Sequence, residues 1–338
     1  MKKTLIIIGL TALSLVVGCK KQEEVKTTGM ITGMVSDSTG SPIDQAQVST
    51  TPATIEVMTN DSGVYEIPDV EPGDYTVGAQ KRTYIPKSVN TSVTASNITT
   101  ANISLNQSLR NVLGEMLTTA CHCGDDARAE GYAVKSGCGT RFVYLEYHAS
   151  CDPYFETWDP FATLGSESRR LYYGADTFLL GNWIYFEGTN LQTSAGNYQY
   201  TVDSLLGKYS PLTMTITGSY SNSTGDGNLD VAITAVDTIL PNDLVVEFAV
   251  YEKGPIDYSP TPPCVVPFEY VVVNIPDHEP LTISYGQMVN ITKNFTVPDS
   301  IGGDKPPFHV VDKNNIGVAL FVQSTGSKEI LQAACHDF

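Results

Sequence analysis

From residue 27 to about 107, apolar and polar positions alternate in short runs: MITGMVSDSTGSPI, AQVSTT, TIEVMTNDSG, VYEIPDVEPGD, YTVGAQ, SVNTSVTA and TANISL. Period-two runs separated by Gly, Pro, Asn and Asp read as strands of a β-sandwich. After residue 110 the pattern changes. RNVLGEML and RFVYLEYH read as strands, and GDDARAEGYAVKSG between them reads as a helix. That helix has Asp125 and Asp126 at its positive end, Lys135 near its negative end and Gly137 as its expected stop. Strand, helix, strand predicts a parallel, right-handed βαβ unit. FATLGSESRRLYYG predicts a second helix, and TFLLGNWIYFEG a hairpin turning at Gly181-Asn182. SAGNYQYTVDSLLGKY predicts a third helix with Tyr198, Val202 and Leu205 on one face. From 210 onward the chain alternates in longer strands (LTMTITGSY, NLDVAITAVD, DLVVEFAVYE, FEYVVVNI, MVNITKNFTV, IGVALFVQS), which predicts a second antiparallel sandwich. The expected fold is multidomain and mainly β, with modules at 27–107, 108–208 and 209–338.

The first eighteen residues, MKKTLIIIGLTALSLVVG, place a basic pair before an apolar run and small residues, the layout of a signal peptide. The run is too short for a membrane span. With Cys19 it closes as LVVGC, which resembles the lipobox of bacterial lipoproteins and implies a lipidated Cys19 after cleavage of residues 1–18. Residues 19–26 are then a tether. Within it KKQEE resembles the signal by which some Gram-negative lineages export lipoproteins to the cell surface; an ordinary solvated tether reads the same way. The expected location is the outer membrane, lipid-anchored and surface-exposed, with a periplasm-facing orientation as the alternative.

Net charge sharpens the list of partners. The chain carries −17 at neutral pH, and losing Lys2 and Lys3 with the leader makes it −19. Such a charge repels phosphate backbones, so nucleic acid is excluded as an expected partner. The expected partners are the membrane, through the acyl anchor, and a protein or glycan ligand; aromatic residues from Tyr144 to Phe186 offer a surface platform for the latter or simply core.

Gly33, Val35, Asp37, Gly40, Pro42, Ile43, Ala46 and Val48, with NDSGVYEI and PGDYTVGAQK, resemble the carboxypeptidase regulatory-like family. The resemblance implies a transthyretin-like sandwich that serves as a stalk or interaction module, with no zinc-peptidase ligands in the chain. The order βαβ, helix, hairpin, helix at 108–208 resembles the thioredoxin fold. Glu115, Thr118 and the adjacent cysteines, Tyr144 to His148, the YYG at 172–174 and FVQSTGSKEILQAA near the C-terminus resemble the Omp-twenty-eight-related outer-membrane lipoproteins. That family implies a thioredoxin-like domain coupled to a C-terminal β-sandwich.

With Cys19 assigned to lipid, six cysteines remain, Cys121, Cys123, Cys138, Cys151, Cys264 and Cys335, and an even number in an oxidising compartment favours disulfides. The stretch TTACHCGDDA sets Cys121, His122 and Cys123 ahead of a helix start, where a thiolate is stabilised. A thiol–disulfide centre there departs from the resembled fold twice. Only one residue separates the thiols, and Asp176 and Thr177 stand where that fold places a cis-proline. A soft-metal set of Cys121, His122, Cys123 and His148 lacks zinc-type spacing. The expectation is structural bridges: Cys121 and Cys123 to Cys138 and Cys151, and Cys264 to Cys335. No catalytic residue, metal or cofactor is expected. STGDGNLD reads as a hairpin turn rather than a calcium loop. Four tripeptides beginning at Asp37, Asp203, Asp237 and Asp299 resemble an O-glycosylation acceptor and equally suit Asp-Ser turns.

Overall fold

A computed structural model describes residues 27–120, 124–149, 159–175, 183–258, 266–302 and 308–338. The expected leader and tether and the expected Gly181-Asn182 turn lie outside the described residues. No helix among the described residues is long and apolar enough to cross a membrane.

The first nine strands are β1 (Gly29–Asp37), β2 (Gln47–Thr51), β3 (Val57–Met58), β4 (Val64–Val70), β5 (Gly73–Gln80), β6 (Tyr84–Ile85), β7 (Lys87–Val93), β8 (Ile98–Thr100) and β9 (Ile103–Gln107). They form two sheets, β4-β1-β9-β6 with β8 on β1, and β3-β2-β5-β7. Alternate residues of β1 point inward, so Ile31 and Val35 meet Val48, Tyr65, Ile67, Val77, Ile103 and Leu105 in one apolar core. Turn chemistry fixes the connections. Asn60 Oδ1 accepts from the N–H groups of Ser62 and Val64, both at 3.0 Å, and Asp37 Oδ1 accepts from those of Thr39 and Ser41 at 2.8 and 2.9 Å. Gly33 is required by packing: a Cβ there would lie 2.0 Å from the Ala101 carbonyl oxygen. The N-terminal β-sandwich expectation is met.

The next elements are β10 (Val112–Thr118), α1 (Asp125–Cys138), β11 (Phe142–His148), α2 (Leu164–Tyr172), β12 (Trp183–Phe186), β13 (Asn190–Gln192) and α3 (Tyr198–Leu206). β10 and β11 run parallel with α1 between them, as their order predicts. Both strands are buried along their whole length, which is why they read as near-continuous apolar runs. α1 and α3 cover one face through Ala127, Val134, Tyr198, Val202 and Leu205; α2 covers the other through Tyr172 and Tyr173. Two details differ from expectation. α1 continues through Gly137 and stops at Gly139, whose φ of 57° lets the chain leave the helix. The described hairpin, β12–β13, turns at Glu187, Gly188 and Thr189, so the second strand expected of the earlier hairpin is the first strand of this one.

The last ten strands are β14 (Leu212–Tyr220), β15 (Asp226–Ala235), β16 (Leu244–Glu252), β17 (Val271–Asn274), β18 (Glu279–Leu281), β19 (Met288–Thr296), β20 (Ser300–Ile301), β21 (His309–Val310), β22 (Ile316–Ser324) and β23 (Ile330–Asp337). STGDGNLD is the β14–β15 hairpin turn, with Gly225 at φ 83°. The sheet β14-β15-β19 packs on β16 and β22 through Leu229, Val231, Ile233, Phe248, Val250, Val318 and Leu320, a second sandwich.

One layer of that sandwich is also the α/β sheet. β11 pairs in parallel with β17, giving the order β13-β12-β10-β11-β17-β16-β22-β23, so the expected boundary between residues 208 and 209 crosses a continuous sheet. The sheet rolls until β23 comes back against β10: Asn111 N–H donates to Gln332 Oε1 at 2.7 Å, and Asn111 Nδ2 to the Ala333 carbonyl at 3.0 Å. Leu113, Leu145, Tyr147, Tyr251, Phe321 and Ala333 pack in one core along the rolled sheet. The N-terminal sandwich docks on this body through Thr83 N–H on the Val236 carbonyl (3.1 Å) and Ser108 Oγ on that of Leu212 (3.3 Å).

Candidate functional site

The chemistry-bearing side chains of the body collect in two buried clusters. The first lies at the carboxyl ends of β10 and β11, where Thr118 and His148 are register partners. His148 and Glu146 have zero exposure, and Asp159 is 4 % exposed. The Asp159 carboxylate is fully engaged: Oδ1 accepts from Phe161 N–H at 2.8 Å, while Oδ2 accepts from Ala120 N–H at 2.6 Å and faces His148 Nδ1 at 2.8 Å. On the other edge of the ring, Nε2 stands 3.5 Å from Glu146 Oε2. Glu146 Oε1 accepts from the Tyr132 hydroxyl on α1, which itself accepts from Glu269 N–H at 2.8 Å. Phe161 and Phe268 close over the imidazole at 5.1 and 5.2 Å between centroids, and Arg128 lies 4.4 Å from the Phe268 centroid.

Burial by itself would push the His148 imidazole down, but the carboxylates of Asp159 and Glu146 outweigh it and hold it at about 9. Burial, reinforced by Glu146, drives the Tyr132 hydroxyl far above its usual range. Both ring nitrogens are thus turned to carboxylates. Among the described residues no group of three or more His, Cys, Asp or Glu is arranged to hold one.

The second cluster sits deeper, between β10 and α2. Glu115, with zero exposure, accepts from Arg169 Nε at 2.7 Å and Nη2 at 2.9 Å, and from the Tyr173 hydroxyl. This forked pairing is the strong geometry for guanidinium and carboxylate. Arg169 Nη1 stands 4.0 Å from Glu247 Oε1, and its guanidinium packs against Tyr172, Tyr173 and Phe321 at 4.9 to 5.0 Å. Gln323 donates to the Lys328 carbonyl at 2.7 Å, and Lys328 Nζ to that of Tyr172 at 2.8 Å, tying the β22–β23 turn to α2. Nearby, Glu187 Oε1 accepts from Leu113 N–H at 2.9 Å and Oε2 from Arg110 at 3.0 Å. Burial pushes the Glu187 carboxyl up to about 7 although Arg110 pulls the other way.

Of the candidate residues read from the sequence, His148 belongs to the first cluster. Cys19, Cys121, His122, Cys123, Cys151 and Cys264 lie outside the described residues, as do Tyr154, Phe155, Trp158, Asp176 and Thr177. Cys138 and Cys335 are half-buried free cysteines, and the partners expected of them lie outside the described residues. Burial raises the Cys335 thiol, with Lys135 Nζ 4.0 Å away opposing it. Ser38, Ser204, Thr238 and Ser300 of the four Asp tripeptides are exposed.

Sequence reading did not single out Asp159, Arg169 or Glu187. A signal was nonetheless present. Glu115, the segment from Tyr144 to His148, the YYG and FVQSTGSKEILQAA are far apart in the chain, and the structure brings Glu115, Tyr147, Tyr173, Phe321, Gln323 and Lys328 to the Arg169 cluster.

Residues 30–106 match the carboxypeptidase regulatory-like domain family. Among solved structures the chain is similar to HBP35 of Porphyromonas gingivalis: 12 % identity, 69 % of this chain and 76 % of that one, TM-score 0.51. At that identity the likeness concerns the fold alone. A protein of Agrobacterium tumefaciens is 15 % identical over 68 % of this chain and 95 % of its own, with a TM-score of 0.42, too low to carry an argument. No curated protein matches the sequence.

Proposed function

We propose that this chain is an outer-membrane lipoprotein, anchored through Cys19 and exposed at the cell surface, whose folded part binds or scaffolds rather than catalyses. The observation that carries the reading is the use made of the buried ionisable groups. Glu115 and Arg169, and Asp159 and His148, are engaged with one another and join strands, helices and loops. Groups so paired and buried are poor candidates for attacking or protonating a substrate.

The carboxypeptidase regulatory-like domain is a transthyretin-like module between anchor and body. The body is a thioredoxin-like unit fused to a sandwich, of the Omp-twenty-eight-related kind. The order β11-β10-β12-β13, with α1 and α3 on one face and α2 on the other, supports the thioredoxin-like part.

Changing Cys19 to Ser tests the anchor. The variant is expected in the soluble or unprocessed fraction without acyl mass; unchanged membrane fractionation with the acylated mass would sink the proposal.

A thiol–disulfide role for Cys121 and Cys123 is the second reading, favoured by one observation: in sequence they follow the carboxyl end of β10, whose last residue, Thr118, is the register partner of the buried His148. Its discriminating measurement is insulin reduction by the purified protein. The binding reading expects none, whereas activity lost on changing Cys121 and Cys123 to Ser would favour the redox one.

A further inference from the structure

We propose that one proton shared between His148 and Glu146 is a latch. While it is in place it holds the turn from Asp159 to Phe161, and the sandwich segments at Phe268 and His309, against the ends of β10 and β11; its loss releases the turn. The inference rests on the geometry of acceptors. Asp159 takes two backbone N–H groups and faces Nδ1, so it is an ionised acceptor and Nδ1 carries a proton. That leaves Nε2 and Glu146 Oε2, 3.5 Å apart, with no other hydrogen-bond partner for either atom. Whichever of them carries the proton, exactly one proton separates two lone pairs at zero exposure. Without it the two would face each other in a site that water does not reach, a costly arrangement for buried polar groups.

The turn that Asp159 anchors is the joint between the two halves of the body. Phe161 belongs to the sandwich core, meets His148 and Tyr258 edge to face and Phe268 at a tilt, and packs on His309 at 4.9 Å between centroids. His309 N–H in turn donates to the Pro160 carbonyl at 3.3 Å, and Gly302 N–H to that of Ala162 at 3.1 Å. Opening the His148 contact therefore loosens β20 and β21 with the turn.

Among the described residues, the other charged or titratable groups on the elements around the ring are Asp125, Arg128 and Tyr132 of α1, Glu269 before β17, and the His309–Glu252 pair beyond Phe161 (2.7 Å). Phe161 packs between His309 and the imidazole, and Arg128 lies over the Phe268 ring. The proton next to His148 is thus controlled by Asp159 and Glu146. With the imidazole held at about 9, the latch is closed at neutral pH and opens in alkali.

Hydrogen exchange of the full chain, followed by mass spectrometry from pH 7 to 10 and corrected for base catalysis, tests this. In the wild type, protection of residues 159–163 and 308–311 is expected to fall roughly tenfold per pH unit above the midpoint, while β5 and β7 stay unchanged. Glu146→Gln supplies a permanent N–H to a neutral Nε2, so its profile is expected to be flat. A flat wild-type profile, or an unchanged step in Glu146→Gln, overturns the latch. Should that variant not fold, exchange of the His148 C2 hydrogen in the wild type decides instead. A midpoint near 9 supports the proposal and one at or below 7 overturns it.

Discussion

The N-terminal sandwich and the body it is docked on are both mainly β, yet they are held together differently. The first is an apolar core between two small sheets, closed by turns in which an Asn or Asp side chain caps the backbone. The second places Glu115, Arg169, Glu146, His148, Asp159 and Glu187 inside, all at or below 7 % exposure. An apolar core tolerates loss of one contact in proportion to the volume removed, whereas a paired buried charge leaves an uncompensated partner behind. The two regions should therefore fail in different ways.

Changing Arg169 to Ala is expected to have the largest effect. It strands Glu115 and should cost about 3–5 kcal/mol of the body's stability. Denaturant unfolding followed by hydrogen exchange should show the body weakened and β1–β9 unaffected; equal loss in both would remove the distinction. Ile31→Ala should cost about 2–5 kcal/mol, toward the lower end where the two sheets can collapse, and the loss should be confined to the N-terminal sandwich.

The pH dependence should run in opposite directions, with a smaller effect. Glu187, raised from 4.5 to about 7, and His148, raised from 6.5 to about 9, both bind protons more tightly in the folded body. Glu187 contributes stability that is full below pH 4.5 and lost as pH rises through 7; for His148 the loss runs from 6.5 through 9. In the N-terminal sandwich Asp37 is lowered, chiefly by the Thr39 hydroxyl. Its contribution is present above pH 4 and lost as pH falls. Thermal melts that resolve the two regions from pH 2 to 10 should show the N-terminal sandwich losing stability only below about pH 4 and the body losing it as pH rises from 4.5 through 9; parallel profiles would argue against this origin. The smallest effect is expected for Asn60→Ala, about 1 kcal/mol from two lost backbone contacts, read as faster exchange at Val64.

The same contrast governs what the sequence discloses. Alternation in β1 or β15 follows from one buried and one wetter face, so those strands are visible as patterns. β23, by contrast, is buried on both sides for its first five residues, and ILQAACHD shows no period. Gly137 and Gly139 are equivalent as letters, and only the backbone reveals which one leaves the helix. The Glu115–Arg169 pair is joined across 54 residues of chain, a distance over which local patterning carries no information. Turn chemistry is local, so NDSG and the Asp37 loop are legible. Ion pairing inside a rolled sheet depends on the whole topology. The continuity of that sheet across residue 208 was hidden for the same reason, because a change of element type looks like a boundary even where hydrogen bonding passes through it.

The closing contact between Asn111 and Gln332 spans 221 residues. The body therefore cannot complete its sheet until nearly the last strand has emerged, while the N-terminal sandwich has every strand it needs by residue 107. Contacts this distant in sequence slow folding and prolong the life of unpaired strand edges. A chain delivered from its N-terminus would thus present a finished small domain ahead of a long, incomplete one, and shortening the C-terminus by the length of β23 would leave the larger part without its seam.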